Sequence, residues 1–239
     1  MNSDFTILIP SRIGSTRLAN KPLVDLNGMS LIQRVFLQAV QLTSDVFIAT
    51  DSNLVENHVK NFTNNVVMTS ESHISGTDRV CEAAKILNLS DDRLIINLQG
   101  DEPFVPIDLI ELVQDDFNNN TCDVITASQR LTNIEDLQNP NCVKVHTTKN
   151  YADDFQRLCK ANNAENVSHH LGIYGYTLAT LKKLVELAPT ERELELKLEQ
   201  LRFMDNNFSI YVSPYRSFVQ GGIDTQEDVD NAISYLINQ

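Results

Sequence analysis

Short apolar runs rich in Ile and Val alternate along the chain with longer segments whose apolar positions recur every three or four residues. FTILIP (5–10) reads as a buried strand and LIQRVFLQAV (31–40) as a helix. VFIAT (46–50) predicts a second strand, followed by a helix near 53–62 and a short strand at VVM (66–68). TDRVCEAAKIL (77–87) has helical period, and LIINLQ (94–99) is the clearest buried strand. A further helix follows Pro106, and CDVITA (122–127) is another strand. Strands covered on both faces read as continuous apolar runs. This rhythm therefore predicts an α/β fold, a mostly parallel sheet with helices on both faces.

The second half is less regular. VKVHTT (143–148) and LGIYGYTL (171–178) read as strands, as does SIYVS (209–213). Residues 190–204 predict one helix with Leu194, Leu198 and Leu201 on one face and Glu195, Glu199 and Arg202 on the next. A last helix runs from Thr225, with Asp224 as its N-terminal cap. There is no internal repeat, and with only eight glycines and no long Pro/Ser linker the chain reads as one domain over residues 1–239. A small excursion is expected within about 128–215.

Charge narrows the function. Thirty-two Asp and Glu face 19 Lys and Arg, a formal −13. A duplex nucleic-acid binder needs a basic footprint, and an anionic membrane surface repels an acidic chain, so neither partner is expected. No apolar stretch reaches the ~18 residues of a membrane span, and MNSDFTILIPSR (1–12) lacks a basic, apolar leader; a soluble, cytoplasmic protein is expected. Cys81, Cys122, Cys142 and Cys159 form neither C-x-x-C pairs nor zinc spacing, and read as reduced, mostly buried residues. Against the acidic background, Arg12, Arg17 and Lys21 cluster near the start.

That cluster lies in IPSRIGSTRLANKPL (9–23), directly after the first strand, where open α/β sheets bind ligands. Ser11, Gly14, Ser15 and Thr16 offer close contacts, and the three cations suit a polyphosphate, although neither the P-loop nor the dinucleotide glycine pattern is present. LQGDEP (98–103) ends the clearest strand, placing Asp101 and Glu102 where a nucleotide-bound divalent metal could be held. Asp224, in GGIDT (221–225), is a candidate second carboxylate. SGTDR (75–79) reads either as an anion site with Arg79 as a fork or as a plain helix cap with Arg79 solvated. HHLGIYGY (169–176) puts one His on each strand face, and KLEQLR (197–202) carries Glu199 and Gln200, which could bind hydroxyls or simply face solvent.

Taken in order, IPSRIGSTRLANKPL, ATDSNLVENHV, MTSESHISGTDRV, IINLQGDEPFVP, HLGIYGY, LEQLR and GIDTQEDV resemble the 3-deoxy-D-manno-octulosonate (Kdo) cytidylyltransferases, from about residue 5 to 235 except near 150–168. The resemblance implies a nucleotidyltransferase-type Rossmann-like sandwich with a small dimer-forming subdomain. It implies a homodimer joining CTP and Kdo into CMP-Kdo for lipopolysaccharide, with pyrophosphate released. Lys21, Asp101 and Asp224 would be catalytic, the two aspartates holding Mg2+. Arg12, Ser15, Arg17 and Lys21 would grip the triphosphate, while Ile9, Pro10, Ser11 and Gln99 would read cytosine and ribose. Arg79, Arg157, His170, Tyr174, Glu199 and Gln200 would line the sugar site.

The chain departs from the family after Arg157, where LCKANNA replaces the usual SPIP and the loop is shorter. That change leaves 8-amino-Kdo or another 3-deoxy-ulosonic acid as alternative sugars; a cytidylyltransferase for a nine-carbon sialic-type acid is a separate alternative, which should show a different pattern in place of HLGIY and LEQL. A non-catalytic nucleotide-binding scaffold is the alternative of a different class.

Overall fold

The computed structural model describes residues 4–14, 17–131, 133–160 and 167–238. The chain groups into two compact units, Met1–Ile107 with Val219–Gln239, and Asp108–Phe218.

The first unit is built on four strands, β1 (Phe5–Ser11), β2 (Val46–Thr50), β3 (Val66–Met68) and β4 (Leu94–Asn97). They are connected through α1 (Leu31–Ala39), α2 (Asn53–Val59) and α3 (Gly76–Ile86). The order is β3-β2-β1-β4 and every pairing is parallel. Successive strand residues face opposite sides of a sheet. Ile7, Leu8 and Ile9 of β1 and Ile95 and Ile96 of β4 are all fully buried, so both faces are covered, as the continuous apolar runs predict. Each helix starts on a serine, Ser30, Ser52 or Ser75, whose hydroxyl accepts from the backbone N–H three residues on.

The strand order positions the site. From β1 the chain proceeds to β2 and β3 on one side and then returns to place β4 on the other. Between β1 and β4 the winding reverses, and the loops leaving their carboxyl ends diverge to open a crevice.

The second unit begins within the first turn of α4 (Ile107–Asn119), at Asp108, and contains β5 (Val124–Gln129), β6 (Lys144–Thr148), β7 (Tyr151–Gln156), β8 (Val167–Thr177), α5 (Leu178–Leu184), α6 (Glu191–Leu196), α7 (Glu199–Asp205) and β9 (Ile210–Tyr215). Its sheet is mixed: β5 pairs parallel with β9 and antiparallel with β8. The 11-residue β8 is long enough to pair with β6 as well. With β6–β7 and β7–β9 also paired, the five strands form a closed circuit. The last helix, α8 (Gln226–Ile237), belongs to the first unit.

Three features depart from the sequence reading. The expected helix over 190–204 is two helices, broken at Lys197, whose φ of 53° is left-handed. Leu194 is therefore 66% exposed while Leu198 and Leu201 are buried, and the three share no buried face. Strand β7 was not anticipated, because YADDFQ buries only Phe155 and shows no clean alternation. Finally, α8 is capped by Thr225 in a capping box with Asp228, which leaves the Asp224 carboxylate for another task. Among the described residues no disulfide joins any of the four cysteines. Among the described residues no helix is long and apolar enough to cross a membrane.

Candidate active site

The loop leaving β1 turns through Asn20, in left-handed backbone at φ 50°, into a single helical turn at Lys21–Leu23. Pro22 follows Lys21 and is buried, which seats the turn and directs the lysine inward. Lys21 Nζ donates to Asp101 Oδ2 at 2.6 Å and to Asp224 Oδ1 at 2.8 Å. Arg17 adds a second cation to Asp224, Nη2 to Oδ1 at 2.9 Å. Burial alone would lower the Lys21 pKa, but the two carboxylates outweigh it and raise it above the usual lysine value. The ammonium is therefore charged at any physiological pH.

Asp101 and Asp224 arrive from distant parts of the sequence, and backbone contacts align them. Ile223 N–H donates to the Asp101 carbonyl at 2.9 Å, laying the Gly221–Asp224 segment beside the loop after β4. Two glycines make that approach possible. A Cβ on Gly100 would lie 2.7 Å from the Pro10 carbonyl oxygen, and one on Gly222 would lie 2.8 Å from Glu102 Oε1. Glu102 itself is pushed up to about 8, first by burial and then by the neighbouring charge of Asp101. It is thus mostly protonated at neutral pH, and the carboxylate pair that faces the cation is Asp101 with Asp224.

Around this pair lies a cavity of about 310 Å³ lined by Ser11, Arg12, Arg17, Lys21, Gln99 and Asp224, among others, all in the first unit. Pro10 also lines it, whereas the Ile9 side chain is fully buried in β1 and does not line it. Arg12 is exposed at the rim. Among the described residues Ser11 Oγ is buried without a hydrogen-bond partner, although a hydroxyl can both donate and accept. Gln99 donates to Asn97 Oδ1 at 3.2 Å, which orients its amide. Ser15 lies outside the described residues.

Arg79 also lines the cavity, but its guanidinium is neither solvated nor free to act as a fork. It is buried, donates to Thr69 Oγ1 at 2.6 Å and is paired with Asp51. The start of α3 is likewise occupied: Ser75 caps it and its hydroxyl donates to Asp78. Sequence reasoning missed His73 and Ile74, which line the same cavity. His73 Nε2 meets Glu82 Oε2 at 2.6 Å, and that oxygen also accepts from Ser70 N–H at 2.7 Å. Burial pulls Glu82 upward, yet these two contacts outweigh it and hold its carboxyl below the usual range. The signal was present in SESHISGTDR, the stretch that also holds Arg79.

The remaining residues expected to touch a sugar lie in the second unit. His170 is buried on β8, with Nε2 2.9 Å from Thr126 Oγ1 and its ring edge-on to Phe155. Burial and then the nearby His169 push it down to about 3, so the imidazole is neutral. His169 instead meets Gln129 on the other face, as strand geometry requires. Tyr174 stacks at a tilt, 5.5 Å from His170, and burial, followed by Glu199, raises its phenol. Glu199 accepts from Arg202 Nη2 at 2.7 Å, and Gln200 is buried beside it at the start of α7. Arg157 does not end in open space: its nitrogens donate to the carbonyls of Leu196, Pro140 and Lys197.

The donor set fits a hard divalent cation that brings most of its own shell. Among the described residues no group of three or more His, Cys, Asp or Glu could hold an ion alone. Two carboxylates ending on one cation, with the other positions open, suit a Mg2+ that shares its shell with phosphate oxygens and water. The Lys21 ammonium shows that both carboxylates reach a single positive centre.

A parallel unit with a cationic loop and a carboxylate pair at its winding reversal defines an α/β protein of the nucleotidyltransferase type. The chain belongs to the 3-deoxy-manno-octulosonate cytidylyltransferase family. A cytidylyltransferase family model matches residues 6–210. A 3-deoxy-manno-octulosonate cytidylyltransferase of Haemophilus influenzae is 37% identical over 243 residues, spanning 95% of this chain and 96% of its own. One from Francisella tularensis is 38% identical over 237 residues, 94% of this chain and 95% of its own. A solved CMP:2-keto-3-deoxy-manno-octonic acid synthetase complexed with CTP superposes with a TM-score of 0.89 at 33% identity, covering 99% of both chains.

Proposed function

We propose that this chain transfers CMP from CTP to the anomeric hydroxyl of Kdo, giving CMP-Kdo and pyrophosphate. The observation that carries the reading is the junction of Lys21 with Asp101 and Asp224 inside a cavity rimmed by Arg12 and Arg17. A triphosphate entering there meets three cations, and Lys21 can turn from the carboxylates to a phosphate without leaving the cavity. Pro10, Ser11 and Gln99 face the nucleoside, and the unpaired Ser11 hydroxyl gains a partner.

The sugar oxygen attacks the α-phosphorus in line; the new O–P bond forms as the bond to pyrophosphate breaks, and the hydroxyl proton passes to solvent. Such a transfer depends on positioning and on charge stabilisation, without covalent help from the protein. Asp101 and Asp224 would hold a Mg2+ ion, which would supply charge neutralisation to the phosphates. In the second unit, neutral His170, with Tyr174, Glu199 and Gln200, would offer hydrogen bonds to sugar hydroxyls. The same reading includes a homodimer and a cytoplasmic place in lipopolysaccharide precursor synthesis.

The test is pyrophosphate release from CTP with a panel of ulosonic acids, with and without Mg2+. Release with Kdo that requires the metal is expected. Release only with a sialic-type acid moves the substrate, and no release with any acid favours a scaffold.

A further inference from the structure

Arg157 is anchored at both ends. Its backbone carbonyl accepts from Lys144, a fully buried ammonium that also donates to the carbonyls of Asp136 at 3.0 Å, Asn139 at 2.9 Å and Cys142 at 2.6 Å. Its guanidinium donates Nε to the Leu196 carbonyl, Nη1 to that of Pro140 at 2.8 Å and Nη2 to that of Lys197 at 2.9 Å. Leu196 ends α6, and Lys197 is the left-handed residue that breaks the helix. Only Leu198 then separates the break from Glu199 and Gln200, the first two residues of α7.

Left-handed backbone is sterically unfavourable for a lysine, as for any residue with a Cβ. Here no glycine assists, and the carbonyls on either side of the break both end on one planar fork. A guanidinium presents several N–H groups in fixed directions, which an ammonium cannot reproduce. We propose that Arg157 is a positioning residue for sugar recognition. It shapes the Leu196–Lys197 turn and thereby aims Glu199 and Gln200, and it does not bind the substrate carboxylate. This rests on the reading that Glu199 and Gln200 face the sugar, and it gives the residue a role other than the one the resemblance implies.

The experiment compares the wild type with Arg157→Met, Arg157→Lys, Lys197→Gly and the Arg157→Met/Lys197→Gly pair. Each is measured for KM with Kdo, KM with CTP and thermal midpoint. Both Arg157 variants are expected to raise KM for Kdo about tenfold while KM for CTP stays within about twofold, because the fork and not the charge is lost. Glycine takes positive φ without strain, so Lys197→Gly is expected to recover part of that loss in the Arg157→Met background. Rescue by Arg157→Lys, no recovery by the glycine, or an unmoved KM for Kdo overturns the proposal. If Arg157→Met does not fold, the same comparison is made with Arg157→Lys and its Lys197→Gly pair. A wild type inactive with every ulosonic acid refutes the underlying function instead, so the two failures are told apart.

Discussion

Lys21 and Asp224 stand 203 residues apart in sequence and meet at 2.8 Å. The same ammonium reaches Asp101, so the loop after β1, the loop after β4 and the segment before α8 converge on one charge. The capping box of α8 uses Thr225 and Asp228, which removes the ordinary structural reason for an aspartate at 224. Both carboxylates of the pair end on the Lys21 ammonium.

Asp224→Asn keeps the size and removes the charge. Turnover is expected to fall by roughly a thousandfold, while CTP affinity changes by less than about tenfold because Arg12, Arg17 and Lys21 remain. Steady-state rates with nucleotide titration check this, and normal turnover would contradict it.

Lys21→Met removes the cation that both carboxylates now bind. In the absence of CTP the variant is expected to bind Mg2+ or Mn2+ about tenfold more tightly than the wild type, since the ion no longer competes with an ammonium. Calorimetric titration of the metal decides it. Unchanged affinity would mean that the two carboxylates do not share one cation site.

Arg79→Met leaves Asp51 without its buried partner. Breaking a buried ion pair on one side costs about 3–5 kcal/mol, so a large drop in the denaturation midpoint is expected even without substrates. An unaltered midpoint together with a raised KM for the sugar would instead make Arg79 a ligand-facing group.

His170, held near 3 by burial, titrates far below an unfolded histidine at about 6.5. Between those values the unfolded chain binds more protons, so stability rises with pH across the window and is lost as pH falls. At pH 5 this one residue costs about 2 kcal/mol relative to neutral pH. Urea unfolding of His170→Gln from pH 7 to pH 4 is expected to show a shallower acid loss than the wild type. Parallel curves would contradict the assignment.

Much of the first unit was legible because its chemistry is local. VFIAT and VVM appear as strands at their predicted bounds, since a parallel strand buried on both faces is a continuous apolar run. The break at Lys197 was not legible, because no Gly or Pro marks it and the group that holds its carbonyl is an arginine 40 residues away. Strand β7 was hidden for a related reason, as only Phe155 of its six residues is buried. Residue types nominated Asp101 and Asp224, but not their meeting at Lys21, which needs the parallel order and the Ile223–Asp101 backbone bond. Arg79 looked like either a ligand fork or a solvated charge, and its partner Asp51 lies 28 residues earlier in a different loop.

The most direct test of the account follows the phosphorus atoms of CTP by 31P NMR in the presence of Kdo, Mg2+ and the protein. Loss of the α-phosphate signal to a new phosphodiester resonance with one pyrophosphate per product is expected, at a rate roughly a thousandfold lower with Asp224→Asn. CTP that stays intact, or that is cleaved to CMP equally well without the sugar, would contradict it.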